Sequence, residues 1–145
     1  MAALGAELTK VLVPGLVIFL NGDLGAGKTT LARALLHALG YRGRVKSPTY
    51  TLVEIYVVSN LYLYHFDFYR FNDPQEWDEA GFREYFNDTS VCLVEWPEKA
   101  GDLLPPADIE IALRIMGSGR QAEITAGTGK GRECLSRMTS GDGIA

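Results

Sequence analysis

Between Gly22 and Thr29 the chain reads G-D-L-G-A-G-K-T, a complete match to the phosphate-cradling loop G-x-x-x-x-G-K-[ST]. Residues of these types at this spacing can hold a nucleoside triphosphate. Gly22 and Gly27 permit backbone geometry that a β-carbon would hinder. Successive N–H groups of Gly25, Ala26, Gly27, Lys28, Thr29 and Thr30 can then point at phosphate oxygens, at the positive end of the helix that follows. Lys28 would bridge the β- and γ-phosphates, and the Thr29 hydroxyl would ligate Mg²⁺. With glycine near 7% of average sequence, such a match arises by chance in roughly half a percent of chains this long. A second glycine-rich stretch, Gly127-Thr128-Gly129-Lys130-Gly131, fails the pattern. Ile124 stands where its first glycine belongs, and no Ser or Thr follows the lysine.

A phosphate loop needs an acid at the end of a neighbouring strand to hold the metal, directly or through water. Glu95 ends the fully apolar run Val91-Cys92-Leu93-Val94, the kind of strand that lies beside the loop strand. Asp67 ends Leu61–Phe66, whose alternating character marks a more peripheral strand. Glu95 is therefore read as the metal acid. Asp67 becomes the residue that orients water or contacts the γ-phosphate, with a strand-end or capping acid as the plainer account.

Further residues divide between chemistry and structure. Thr49 and Thr51 follow Ser47-Pro48, where nucleotide switches place a γ-phosphate sensor; the start of a strand is the alternative. His65 reads as a satisfied sheet histidine rather than a catalyst. Trp96, beside the metal acid, covers the site, meets a partner or simply packs. Arg70 either pairs with Asp67 or stabilises charge during phosphoryl transfer, with a structural ion pair as the plainer account. Arg120, in a turn between strands, either reaches the nucleotide or is exposed. Arg42, Arg44 and Lys46 read as a solvated loop, with contact to RNA as the alternative.

The elements that must position these groups follow from periodicity. Leu4, Leu8, Val11 and Leu12 predict a helix over Ala3–Val13, closed by Pro14-Gly15. An apolar strand is expected from Leu16 to Leu20. After the loop, Leu31, Leu35 and Leu39 predict a helix that packs one face on the sheet and stops at Gly40. Tyr50–Val58 and Leu61–Asp67, separated by Ser59-Asn60, read as an antiparallel hairpin. Eight aromatics crowd between Tyr50 and Phe71; ordinary sheet packing is favoured over a stacking surface for bases. Asp73-Pro74 opens a short helix, and a helical segment continues through Gly81–Phe86. Val91–Val94, Asp108–Ile115 and Gln121–Thr125 are strands, Gly131–Met138 a last helix, and Thr139–Ala145 a frayed tail. The fold expected is α/β: a P-loop NTPase-like three-layer sandwich, with a mainly parallel central sheet and an antiparallel hairpin, forming one domain over 1–145.

Composition bounds the function. The chain has 145 residues, 47% of them hydrophobic, enough for one core, and a net charge of -4 that argues against broad binding of nucleic acid. Cys92 and Cys134 have no metal-ligand spacing. No apolar run approaches the ~20 residues that span a bilayer, and Met1-Ala2-Ala3-Leu4 lacks the start of a secretory signal. A cytoplasmic protein with no membrane partner is expected.

Several blocks in order resemble the TsaE family of small bacterial P-loop ATPases, formerly called YjeE. They are G-D-L-G-A-G-K-T-T at Gly22–Thr30, V-K-S-P-T-Y-T-L-V-E at Val45–Glu54, H-F-D-F-Y-R at His65–Arg70, L-V-E-W-P-E at Leu93–Glu98 and Leu104-Pro105. The resemblance implies a role in making threonylcarbamoyladenosine in tRNA, beside the anticodon of tRNAs that read codons beginning with A. It implies ATP/ADP and Mg²⁺ as cofactors and the TsaB–TsaD pair as partner, whose multiple turnovers the ATP cycle supports. It places Mg²⁺ on Thr29 and Glu95, phosphates on Gly25–Thr30 and hydrolysis on Asp67, with Trp96 and the S-P-T-Y-T segment near the nucleotide or the partner. Family members usually carry an extra strand and turn ahead of the first helix. Here Met1 opens almost directly into that helix, which implies a shortened start or weaker nucleotide binding.

The expectation is thus a slow, partner-stimulated ATPase subunit of a tRNA-modifying assembly, with direct contact to tRNA left open. A small-molecule kinase and a nucleotide-gated binding module are the alternatives. Against the kinase, the chain is short and has no arginine-rich lid to close over an acceptor.

Overall fold

Six strands form one sheet in the order β2-β3-β4-β1-β5-β6 in the computed structural model, which describes residues 1–139. They are β1 (Val17–Asn21), β2 (Val53–Val58), β3 (Leu61–Asp67), β4 (Ser90–Glu95), β5 (Ile109–Met116) and β6 (Gly119–Ala126). The central strands β3, β4, β1 and β5 run parallel, and an antiparallel hairpin closes each edge. The expected hairpin is β2–β3, turning on Ser59 and Asn60, both at positive φ (51° and 62°), as a tight primed turn requires. The frayed tail expected over Thr139–Ala145 lies, except for Thr139 at the end of the last helix, outside the described residues.

The helices are α1 (Ala2–Leu8), α2 (Lys28–Ala38), α3 (Pro74–Glu79) and α4 (Gly129–Thr139). One face of the sheet packs under α1, α2 and α4, in a core that joins Leu8, Ile18, Leu31, Leu35, Leu63, Leu93, Ile111 and Cys134. The other face packs under α3 and the 3-10 turn Phe82–Tyr85, around Phe66, Phe68, Phe71, Trp77 and Val94. This gives three layers. Of the crowded aromatics, Tyr64, Phe66, Phe68 and Phe71 pack here and Tyr56 packs in the opposite core; Phe66 lies 5.1 Å from Phe86 and 5.7 Å from Phe82, centroid to centroid. Tyr50, Tyr62 and Tyr69 stay exposed.

The first helix stops at Leu8 rather than Val13, because Thr9 bonds its own hydroxyl to the Ala6 carbonyl and the chain tightens into i→i+3 turns. Val11 still reaches the core. Gly5 lets α1 cross α2 closely, since a β-carbon there would stand 2.8 Å from the Ala34 carbonyl carbon. Helix α2 ends as expected, with the N–H groups of Gly40 and Tyr41 donating to the carbonyls of His37 and Leu36. Asp73 caps α3 through Gln75 N–H, with Pro74 at its first position.

Strand period then sorts the site residues. On β3, Leu63, His65 and Asp67 share one face; on β4, Val91, Leu93 and Glu95 do. Leu63, Val91 and Leu93 belong to the core under α2, so all three polar groups point toward the helix that the phosphate loop begins. Every residue of β4 is buried, as its apolar run predicts.

Candidate functional site

The loop leaves the carboxyl end of β1, beside the ends of β3 and β4, where ligands of open α/β sheets bind. Gly27 caps α2 at φ 107°. A cavity of about 390 Å³ opens above it, lined by Gly25, Gly27, Lys28, Thr29 and Thr30 on one side and by Thr49, Asp67, Glu95 and Trp96 on the other. Tyr69 and Arg70 complete the wall. The Lys28 ammonium donates to the Gly22 carbonyl at 2.5 Å and lies 3.6 Å from the centroid of the Trp96 ring. Burial pushes its pKa down, and the Glu95 and Asp67 charges pull it partly back. Trp96 itself holds φ 56°, a conformation that a bulky residue keeps only where its surroundings enforce it.

Parallel register brings the two acids level, with Asp67 on β3 opposite Glu95 on β4. The Thr29 hydroxyl donates to the Glu95 carboxylate, at 3.0 Å from Oε2 and 3.3 Å from Oε1. His65 Nε2 lies 2.5 Å from Glu95 Oε2. Asp67 Oδ1 accepts from the Tyr69 N–H at 2.9 Å. Burial raises the Asp67 pKa, the Tyr69 bond opposes this, Glu95 raises it further, and His65 and Lys28 lower it.

The donor set suits Mg²⁺. Glu95 is a buried carboxylate with a hydroxyl beside it, both hard oxygen ligands at the end of the phosphate loop. Among the described residues no cluster of three or more His, Cys, Asp or Glu could cage a metal alone. Mg²⁺ asks for none, because it takes one or two protein oxygens and fills its shell with phosphate and water.

The remaining expected residues fall in three places. Gly22 lies under the loop, where an added β-carbon would stand 2.7 Å from the Leu113 carbonyl oxygen. Ala26 is buried, and it and Gly22 line a second cleft with Asn21, Asp23 and Leu113 rather than the cavity. Arg120 also sits outside the cavity: its Nε donates to the Ala26 carbonyl at 3.1 Å and its Nη2 to the Gly25 carbonyl at 3.3 Å. It braces the loop from behind. Thr49 shares a hydrogen bond with the Ser47 hydroxyl at 2.7 Å, while Thr51 donates to Glu54. Arg70 places its guanidinium 4.6 Å from the Tyr50 centroid. Arg42, Arg44 and Lys46 are exposed.

Sequence reasoning set His65 aside as a sheet histidine and so missed its contact with Glu95. The available signal was its position two residues before Asp67 on one strand, hence on the same face.

Comparison with known proteins gives the family. The family model for "Threonylcarbamoyl adenosine biosynthesis protein TsaE" matches residues 1–122. The tRNA threonylcarbamoyladenosine biosynthesis protein TsaE of Haemophilus influenzae is 43% identical over 145 residues, covering 97% of this chain and 92% of that protein. The TsaE protein of Bacillus subtilis is 41% identical over 121 residues, covering 83% of this chain and 75% of that one. The crystal structure of Bacillus subtilus YdiB superposes with a TM-score of 0.76 at 32% identity, covering 96% of this chain and 87% of that one. With a phosphate loop, two levelled acids and these relatives in hand, the chain belongs to the TsaE family of threonylcarbamoyl adenosine biosynthesis proteins.

Proposed function

We propose that this chain binds Mg·ATP at the Gly22–Thr29 loop and hydrolyses it to drive the TsaB–TsaD pair through repeated rounds of tRNA threonylcarbamoylation. The observation that carries the reading is the joining of Thr29 to Glu95 by a hydrogen bond at the mouth of the loop, with Asp67 level with Glu95 in the sheet. Gly25–Thr30 would cradle the phosphates, and Lys28 would leave the Gly22 carbonyl to bridge the β- and γ-phosphates. Thr29 and Glu95 would hold Mg²⁺, which when bound draws off the charge that builds on the phosphate oxygens. Water attacks the γ-phosphorus, the bond to the bridging oxygen breaks, and ADP and phosphate leave. Asp67 steers that water and draws its proton; burial, by raising its pKa, makes it a stronger base.

The partner reading rests on family membership, and an exposed surface beside the cavity supports it. Tyr50 is 81% exposed and Leu24 65%, and Tyr69 and Arg70 adjoin them. No helix among the described residues is long and apolar enough to cross a membrane.

A pull-down with TsaB and TsaD, with and without ATP, followed by a tRNA-modification assay tests the assembly. ATP-dependent capture, and hydrolysis stimulated by the pair but by no small hydroxyl compound, is the expected result. Stimulation by such a compound would instead make the chain a kinase. At the site, Glu95→Ala should keep nucleotide and lose metal-dependent turnover; loss of the metal in Asp67→Ala instead would exchange the two acids.

A further inference from the structure

We propose that His65 is a positioning residue for the metal: it fixes the Glu95 carboxylate so that its oxygens face the Thr29 hydroxyl at the loop. The inference rests on the reading of Glu95 as metal acid and adds to it a residue two positions before Asp67.

The His65 ring is fully buried and Glu95 is 2% exposed. An ionised carboxylate only accepts, so Nε2 carries the proton in this contact. The remaining nitrogen, Nδ1, is buried with no partner among the described residues. A hydrophobe would pack here without any unmet atom, as Leu63 does on the same face. A polar ring kept in such a place, against the local packing preference, marks a site where function overrides stability.

The geometry narrows its role. Glu95 Oε2 receives both His65 Nε2 and the Thr29 hydroxyl, so the two donors set the carboxylate's rotation from opposite elements, β3 and α2. His65 does not line the cavity; it acts through Glu95. Outer partners of this kind hold ligating carboxylates in orientation, and their loss weakens metal binding by roughly 10–100-fold.

The test uses the full chain and reads Mn²⁺ bound to the ADP complex by electron paramagnetic resonance, so it does not depend on turnover. His65→Leu should fold, bind ADP without metal as the parent does, and require roughly 10–100-fold more Mn²⁺ for half-saturation. His65→Gln, whose amide can donate from near the Nε2 position, should recover most of that loss. Parent-like Mn²⁺ binding by His65→Leu overturns the proposal, as does an equal loss in both variants. Glu95→Ala, run in parallel, separates the two claims: if it loses the metal while His65→Leu does not, the metal acid stands and the positioning role falls. If Glu95→Ala keeps parent affinity, both fall. A measurement on the unsubstituted chain needs no variant to fold. Its two histidines are His37 and His65, and ¹⁵N spectra should show His65 with a proton on Nε2, its resonance shifting when Mg²⁺ is added to the ADP complex. A proton on Nδ1 alone, or no shift with Mg²⁺, overturns it.

Discussion

The Lys28 ammonium lies 3.6 Å from the centroid of the Trp96 ring while donating to the Gly22 carbonyl. The loop lysine is thus held by its own backbone and by an aromatic face, and a phosphate must draw it from both. Trp96 emission should therefore change when ADP or ATP binds. The other tryptophan, Trp77, is buried in the aromatic core away from the cavity. The change should persist in Trp77→Phe and vanish in Trp96→Phe. Lys28→Ala should lose roughly 2–3 kcal/mol of nucleotide binding, as expected for a charge-assisted bond. A calorimetric titration showing parent affinity would remove Lys28 from the phosphates.

Arg120 reaches the loop from β6, bonding the carbonyls of Gly25 and Ala26. A loop whose N–H groups converge on an anion must turn its carbonyls away, and Arg120 satisfies two of them there. Arg120→Ala should fold, with a melting temperature within a few degrees of the parent, and bind ADP several-fold more weakly. Arg120→Lys should restore only part, because one ammonium does not reproduce a forked pair of donors. Equal ADP affinity in all three proteins would leave the arginine without a role in the loop.

What was legible in the sequence was what is contiguous or periodic. The phosphate loop is one uninterrupted stretch, and its helix follows from Leu31 and Leu35, both buried as their spacing predicts. The place of Glu95, at the end of a strand beside the loop strand, was legible because that strand is apolar throughout, which fits a strand covered on both faces. Groups that meet through register or reach were not. His65 and Glu95 are 30 residues apart and touch only because β3 and β4 align in parallel. Arg120 and Ala26 are 94 residues apart, and their contact depends on how far the β5–β6 hairpin extends past the loop. The helix end at Leu8 was misplaced because the apolar spacing continues to Val11 through turns that are no longer α-helical.

Asp67 gives a pH dependence. Burial raises its folded pKa above the ordinary 3.8, so between the two values the folded state holds more protons than the unfolded one. Stability from this group then falls as pH rises through that window, and at neutral pH the buried charge is a net cost. Asp67→Asn keeps an oxygen to accept from Tyr69 N–H and removes the charge. Its melting temperature should exceed the parent's at pH 7, and the gain should disappear below about pH 4, where the parent carboxyl is protonated in both states. ATP hydrolysis should be lost. A variant less stable than the parent at pH 7 would show that the charge is compensated by Lys28 and His65.

Gly22 is set by packing as much as by phosphate. A β-carbon there would stand 2.7 Å from the Leu113 carbonyl oxygen and 3.1 Å from the Ala26 β-carbon. The oxygen belongs to β5, whose register with β1 ends at Asn21 opposite Ala112, so neither backbone is free to withdraw. Gly22→Ala should cost about 1–3 kcal/mol through overpacking and lower the melting temperature by several degrees. Because the loop must lift to relieve the contact, ADP affinity should fall with it, and the Arg120 bonds to Gly25 and Ala26 should break. Differential scanning calorimetry and an ADP titration on the same sample check both. Lost affinity at an unchanged melting temperature would place Gly22 against the nucleotide rather than under the loop.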